Sequence, residues 1–253
     1  MDLKLKGCKA IITGGSKGIG RASADLLAEE GCSVAICARN KAEVDAAVAA
    51  LKGKGVTAFG QALDVRDKAA LEGWVKASAE ALGGIDIVIP NVSALDMDRG
   101  EGAWKNEFEI DMLHTVRTVE AALPFLERSD SGAIVVVSSV SGLEFDFTSP
   151  AYGTFKAALI HYASRMASTL APKHIRVNTV SPGNTYFEGG IWQHIEKNMP
   201  DLFKTALAKN PWGRMATDKE VANAVVFLAS PRASFITGVN LVVDGALTNR
   251  VQY

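Results

Sequence analysis

The stretch CKAIITGGSKGIG, Cys8–Gly20, decides the fold. Its first half is an apolar run without polar alternation, the pattern of a strand buried on both faces. Its second half sets Gly14, Gly18 and Gly20 in a G-x-x-x-G-x-G spacing. RASADLLAEEG, residues 21–31, follows with helical periodicity and a glycine stop. Glycines between a strand and a helix allow a tight turn and close approach of the backbone to a pyrophosphate. The helix N-terminus adds unpaired N–H groups and the positive end of its dipole. Ser16, Lys17 and Ile19 fill the rest of the loop and are expected to line the same site.

The alternation of strand and helix continues outward. SVAICAR (33–39), TAFGQALDV (57–65), IDIVIPN (85–91), GAIVVVSS (132–139), IRVNTVSP (175–182) and GVNLVVDG (238–245) read as strands. Helical patterns over 41–55, 67–84, about 100–127, 150–171 and 218–230 separate them. Apolar strands alternating with helices imply a parallel sheet covered on both faces. Right-handed crossovers make it a doubly wound α/β fold of the Rossmann type. No repeat, low-complexity run or linker divides residues 1–253, which read as one domain. The region of about 184–216 interrupts the alternation and is the candidate substrate lid.

Composition fits this picture and narrows the function. With 253 residues, 48% of them hydrophobic, the chain is long enough for one large core. A net charge of −1 implies no broad attraction to nucleic acid or to an anionic membrane. No apolar run reaches the roughly 20 residues that span a bilayer, and the N-terminus lacks the features of a signal peptide. Cys8, Cys32 and Cys37 are odd in number and have no metal-ligand spacing. Cys8 and Cys37 fall in expected core strands, so buried thiols in a reducing cytoplasm are expected, with no metal.

The second strand closes on CARN. Folds of this kind that select NAD place Asp or Glu there to bind the ribose 2′-hydroxyl. Here Ala38 holds that place and Arg39 follows. With Lys17 nearby, two cations and no carboxylate favour a 2′-phosphate, hence NADP(H), with NAD(H) as second choice. Asp64 and Val65 follow the third strand on the adenine side; Asp64 reads equally as an acceptor for the adenine amino group and as a turn or N-cap aspartate.

SPAYGTFKAAL, Ser149–Leu159, opens a helix and sets Tyr152 and Lys156 four apart on one face. A free phenol has a pKa of about 10, too high for an efficient base at neutral pH. A neighbouring ammonium stabilises phenolate and lowers that value. Such a tyrosine takes a proton from an alcohol or returns one to a carbonyl oxygen. Ser139 ends the most apolar strand, at the carboxyl end where such sheets bind ligands, and is placed to hydrogen-bond the substrate oxygen. Alternation turns Ser138 and Ser139 to opposite faces and leaves open which of them meets the ligand.

With a glycine loop, a serine ending a later strand and Tyr-x-x-x-Lys opening the next helix, in this order, the sequence resembles the classical short-chain dehydrogenase/reductase family. The resemblance covers nearly the whole chain. TGGSKGIG is similar to that family's cofactor loop, and Ser139, Tyr152 and Lys156 to its catalytic residues. SPG at Ser181–Gly183 resembles the segment that passes the nicotinamide, and VVDG at Val242–Gly245 the final strand. The resemblance implies about seven parallel strands and cofactor contacts at Asn91, Tyr152, Lys156, Pro182 and Gly183. It also implies a homotetramer that pairs the helices of about 100–127 and 150–171.

Three departures stand out. PNVS, Pro90–Ser93, puts Ser93 where the family has glycine. FEIDMLHTV puts Asp111 at the place of the family's fourth catalytic residue, an asparagine; negative charge there opposes phenolate formation. Phe187 stands where relatives carry a threonine that contacts the carboxamide. Around the site, 140–150 supplies Leu143, Phe145 and Phe147, and the candidate lid supplies Tyr186, Phe187, Ile191 and Trp192. Such aromatics suit an apolar or ring-bearing alcohol or ketone. Ser139, Leu143, Phe145, Tyr152, Phe187 and Trp192 are the expected substrate contacts. The expected activity is NADP-dependent interconversion of a secondary alcohol and a ketone on a small molecule. Reduction of 3-oxoacyl thioesters of acyl carrier protein or coenzyme A is the alternative within the family. A non-catalytic NADP-binding regulator is the alternative outside it, and the intact serine, tyrosine and lysine argue against that.

Overall fold

The computed structural model describes residues 2–251. In chain order, β1 (Lys9–Thr13) leads to α1 (Gly18–Glu29), β2 (Ser33–Ala38) to α2 (Lys41–Lys52), and β3 (Ala58–Ala62) to α3 (Lys68–Leu82). After β4 (Ile87–Ile89) comes α4 (Glu101–Glu107), which passes through a π-helical segment, Phe108–Leu113, into α5 (His114–Leu126). β5 (Ala133–Val137) leads through a short 3-10 turn, Val140–Gly142, to α6 (Pro150–Leu170). Beyond β6 (Arg176–Pro182) lie β7 (Thr185–Tyr186), α7 (Ile191–Asn198), α8 (Pro200–Ala208), β8 (Ala216–Thr217), α9 (Asp218–Ala229) and β9 (Asn240–Val243).

Seven strands form one sheet in the order β3-β2-β1-β4-β5-β6-β9, parallel throughout. Strand alternation feeds two cores. Ile12, Ile36 and Val135 face α1, α2 and α9 through Leu27, Ala47 and Val225. Ile11, Ala35 and Ile134 face α3, α5 and α6 through Trp74, Val119 and Leu159. Both faces are therefore covered, which is why the strands read as continuous apolar runs. Strand order reverses between β1 and β4. In such sheets the crevice outside the carboxyl ends, at that reversal, is where ligands bind.

The structure refines several sequence expectations. The single helix expected over about 100–127 is interrupted by the π-helical segment, which packs against α6 and carries Asp111. β5 ends at Val137, so Ser138 and Ser139 lie just past the ladder rather than in it. Cys8 precedes β1 and is half-buried, whereas Cys32 and Cys37 are buried. Residues 184–216 contain α7, α8 and the small parallel pair β7–β8, and hold their own apolar cluster of Trp192, Ile195, Ala206 and Met215.

Candidate active site

A cleft of about 1030 Å³ opens at the carboxyl ends of the strands. Gly14, Ser16, Lys17, Gly18 and Ile19 line one end of it. Lys17 occupies the N-cap of α1 in extended conformation, and no side chain caps the helix. The first amides of α1 are thus left for an outside acceptor. Gly20 does not face the cleft; it sits behind the loop. A Cβ there would lie 2.3 Å from Gly14 O and 2.5 Å from Asn91 Nδ2. That approach lets Asn91 Nδ2 donate to Thr13 O (3.1 Å) and Gly14 O (3.3 Å), while Asn91 N–H donates to Thr13 Oγ1 (3.0 Å).

His114 braces the same loop from below. Its Nδ1–H donates to Ile110 O, so Nε2 accepts from Thr13 Oγ1 at 2.9 Å. Burial pushes its pKa down to about 4, which keeps the ring neutral and this tautomer in place.

Beside this loop, Arg39 and Lys17 are exposed cations on the rim. The expectation that no carboxylate accompanies them is corrected: Glu43, in the first turn of α2, also lines the cleft. Its Oε2 accepts from Ser16 Oγ at 3.1 Å and its Oε1 from Asn40 Nδ2 at 3.3 Å. Asp64 and Val65 line the cleft as well. The Asp64 carboxylate is engaged by the Arg66 guanidinium, with Nη2 2.6 Å from Oδ2, and that hydrogen bond holds its pKa below the usual range.

The candidate reaction centre is built by α6 and the turn after β5. Ser149 caps α6 by accepting from Tyr152 N–H, with Pro150 as the first helical residue. Gly153 lies between Tyr152 and Lys156 where a Cβ would come 2.8 Å from Ser141 O, so the turn carrying Ser139 can close on the helix. Ser138 Oγ donates to Lys156 O at 2.7 Å and serves the backbone. Ser139 lines the cleft with Tyr152, close enough to lower the phenol's pKa, and its Oγ donates to Ser141 Oγ at 3.1 Å. It also accepts from Ser141 N–H at 3.1 Å, and Ser141 Oγ in turn donates to Asp146.

Lys156 Nζ stands 5.4 Å from the centroid of the Tyr152 ring and 2.8 Å from Asp111 Oδ1. Lys156 and Asp111 are only 1% and 0% exposed, so this is a buried ion pair. Asp111 Oδ2 accepts from Ala94 N–H at 2.8 Å, tying the loop after β4 to the π-helical segment. Burial raises the Tyr152 pKa; Lys156 and Ser139 pull it back, while Asp111 and Glu107 add to the rise. Burial works against the Lys156 ammonium, but Asp111 and Tyr152 outweigh it and hold its pKa above the usual value.

Asn91, Pro182, Gly183, Phe187 and Trp192 all line the cleft with Ser139, Tyr152 and Lys156. Asp111 lies behind Lys156 and meets the cleft only through it. Leu143 is half-buried away from the lining, and Phe145 points into solvent at full exposure. Phe147 takes their place, its ring edge-to-face with Trp192 at 5.2 Å. Glu43 and Glu107 are residues that reading the sequence did not single out.

Comparison with known proteins agrees with this geometry. The family model described as enoyl-(acyl carrier protein) reductase matches residues 14–248. Isoepoxydon dehydrogenase of Penicillium expansum is 40% identical over 253 residues, covering 98% of each chain. Cis-4-hydroxycyclohexanecarboxylate dehydrogenase of Sinomonas cyclohexanicum is 34% identical over 94% of this chain and 96% of its own. Among solved structures, L-sorbose reductase from Gluconobacter frateurii, complexed with NADPH and L-sorbose, superposes with a TM-score of 0.91 at 29% identity. That superposition covers 99% of this chain and all of the other. Fold, ordered motifs and full-length similarity coincide: the chain belongs to the classical short-chain dehydrogenase/reductase family of oxidoreductases.

Proposed function

We propose that the protein interconverts a secondary alcohol and a ketone with NADP(H), on an apolar or ring-bearing small molecule. The observation that carries this reading is the convergence of Tyr152 and Ser139 on the cleft, with the Lys156 ammonium behind the phenol. The uncapped N-terminus of α1, the close-packed glycines and the rim cations fit a dinucleotide with its phosphates. Gly14, Gly18, Ile19, Asn91, Lys156 and Gly183 would hold it. When bound, it supplies the hydride donor or acceptor. Tyr152 gives its phenolic proton to the carbonyl oxygen in reduction and takes one from the alcohol in oxidation. Ser139 stabilises the charge on that oxygen.

NADP over NAD rests on Ala38 at the end of β2 and on Arg39 and Lys17 at the rim. The bound NADPH of L-sorbose reductase supports it; Glu43, held by Ser16 and Asn40, limits the preference rather than reversing it. Arg39→Asp is expected to raise KM for NADP by about 10–100-fold, the loss of a charge-assisted contact. KM for NAD should stay within about threefold, and equal losses for both cofactors would refute the phosphate contact.

Phe147, Ile191 and Trp192 give the substrate end an apolar wall. The ring alcohol in the name of the Sinomonas relative supports the same class. A panel of cyclic ketones and alcohols against 3-oxoacyl thioesters, each with NADPH and NADH, tests this. Turnover confined to thioesters would replace the reading with the acyl-reductase alternative.

Residues 1–253 act as one catalytic domain, with 184–216 as the lid. Phe187 is its point of closure, because a Cβ on Gly18 would lie 2.6 Å from the Phe187 ring. Buried thiols at Cys32 and Cys37 suit a reducing cytoplasm.

Assembly as a homotetramer is supported by two apolar patches. Trp104 and Phe108, about 40% exposed, flank Phe155 on the face of α4 and α6, with ring centroids 6.1 and 5.8 Å from it. Phe235 and Val239 are exposed beside β9, an edge of the sheet. Phe108→Asp is expected to reduce the mass measured by light scattering. A variant that keeps the wild-type mass would show that this face is not an interface.

A further inference from the structure

Two carboxyl groups are buried together behind Lys156. Glu107 ends α4, Asp111 lies four residues on in the π-helical segment, and both are 0% exposed. Glu107 Oε1 accepts from Asp96 N–H at 2.7 Å. Among the described residues nothing donates to Glu107 Oε2, which is fully buried. Four residues apart along one helical stretch, the Glu107 and Asp111 carboxyls share a face, close enough for each to shift the other's pKa. Two ionised carboxylates have only acceptors and repel each other; a proton on one of them removes the repulsion and turns the unpartnered Oε2 into half of a donor–acceptor pair.

We infer that Glu107 is a positioning residue for the proposed proton transfer: it shares one proton with Asp111, so that the pair presents a single negative charge to Lys156 and, through it, to Tyr152. The inference rests on the reading of Tyr152 as the group that moves the substrate proton. The proton belongs on Glu107. Asp111 has the ammonium 2.8 Å away and its pKa is held down against burial, chiefly by Lys156. Glu107 lacks a cation in contact, and burial first, then Asp111, pushes its pKa up to about 8.

The other groups facing the pair do not compete for that proton. From α6 they are Lys156 and Tyr152, whose charges favour ammonium and neutral phenol. From the loop after β4 they are the backbone N–H groups of Ala94 and Asp96, while the Asp96 carboxylate accepts from Asn106 Nδ2. From α5 it is His114, kept neutral by burial.

The consequence is an electrostatic stop at alkaline pH. Loss of the Glu107 proton places a second negative charge behind Lys156. That charge stabilises the ammonium and opposes phenolate on Tyr152. Glu107→Gln isolates this effect, because its carbonyl still accepts from Asp96 N–H and its amide still donates to Asp111, but it does not titrate.

The test combines two readouts on the full-length protein. Infrared spectra of the unliganded wild type, titrated from about pH 6 to 10, are expected to show a protonated-carboxyl band that disappears as pH rises through about 8. The band should be missing in Glu107→Gln. The pH profile of kcat for alcohol oxidation is expected to move toward acid by about one unit in Glu107→Gln. A wild type without the band overturns the shared proton. A band accompanied by superimposable kcat profiles overturns the positioning role. The infrared titration of the wild type needs neither a variant nor turnover, so it stands even if the roles of Tyr152 and Lys156 in catalysis do not.

Discussion

Tyr152→Phe is expected to lower kcat by roughly 10²–10⁴-fold, the usual range for removing a positioned general acid or base. KM for the cofactor and the thermal midpoint should stay close to wild type. Tyr152 is 8% exposed, and its ring is packed in the first turn of α6 against the Lys156 side chain. Phenylalanine keeps that ring and removes one oxygen. The oxygen faces the cleft, so its loss orphans no buried donor in the core. Ser139 keeps its place in its own turn, held by Ser141 N–H. The loss therefore falls on the proton-transfer step, and kcat and kcat/KM drop together. Retention of kcat within about threefold would exclude Tyr152 as the group that moves the proton.

Much of this arrangement was legible in the sequence because it is local. The glycine loop, the strand before it and the helix after it lie within about 20 consecutive residues, and periodicity separates them cleanly. The i,i+4 relation of Tyr152 and Lys156 survives any tertiary context that keeps α6 helical. What was not legible depends on packing between distant segments. Ser138 and Ser139 differ only in where the chain departs from β6: Ser138 N–H still donates to Val180 O at 2.8 Å, and Ser139 then opens the 3-10 turn. Leu143 and Phe145 sit in a loop without periodicity, so their directions had no pattern to reveal them; Phe145 turned outward and Phe147 inward.

The carboxylates were the harder case. Glu43 follows Arg39 by four residues, in the first turn of α2, where an acid usually serves the helix dipole. Its place in the cleft follows from Ser16 reaching across to it. Glu107 carried no signal of its own, since acids on helices are mostly exposed. The available signal was its four-residue spacing from Asp111, which puts both on one face, together with Asp111 standing at a catalytic place in the resembling family. Only the packing of the π-helical segment on α6 shows that this face points inward.

That buried charge makes Lys156→Met the second large effect, on stability as well as on rate. Removing the ammonium leaves Asp111 with Ala94 N–H and Glu107 as partners in a site that is 0% exposed. Breaking a buried pair on one side costs about 3–5 kcal/mol, because the remaining charge has no compensation. In the wild type the folded pKa of Asp111 lies below its unfolded value of about 3.9. Its contribution is therefore complete above that value and is lost as pH falls through the folded pKa. In Lys156→Met burial acts unopposed, and the folded pKa moves above the unfolded one. The sign then reverses: Asp111 is tolerated as a neutral acid near pH 4, and the variant loses stability as pH rises toward its new pKa. Urea titrations should show the deficit against wild type widening between about pH 4 and pH 8. Adding Asp111→Asn should recover most of the deficit near neutral pH by removing the charge, while kcat stays at least about 100-fold down because Tyr152 still lacks its ammonium. A deficit that is flat with pH, or that Asp111→Asn does not relieve, would show that Lys156 stabilises the fold through packing of its stem rather than through Asp111.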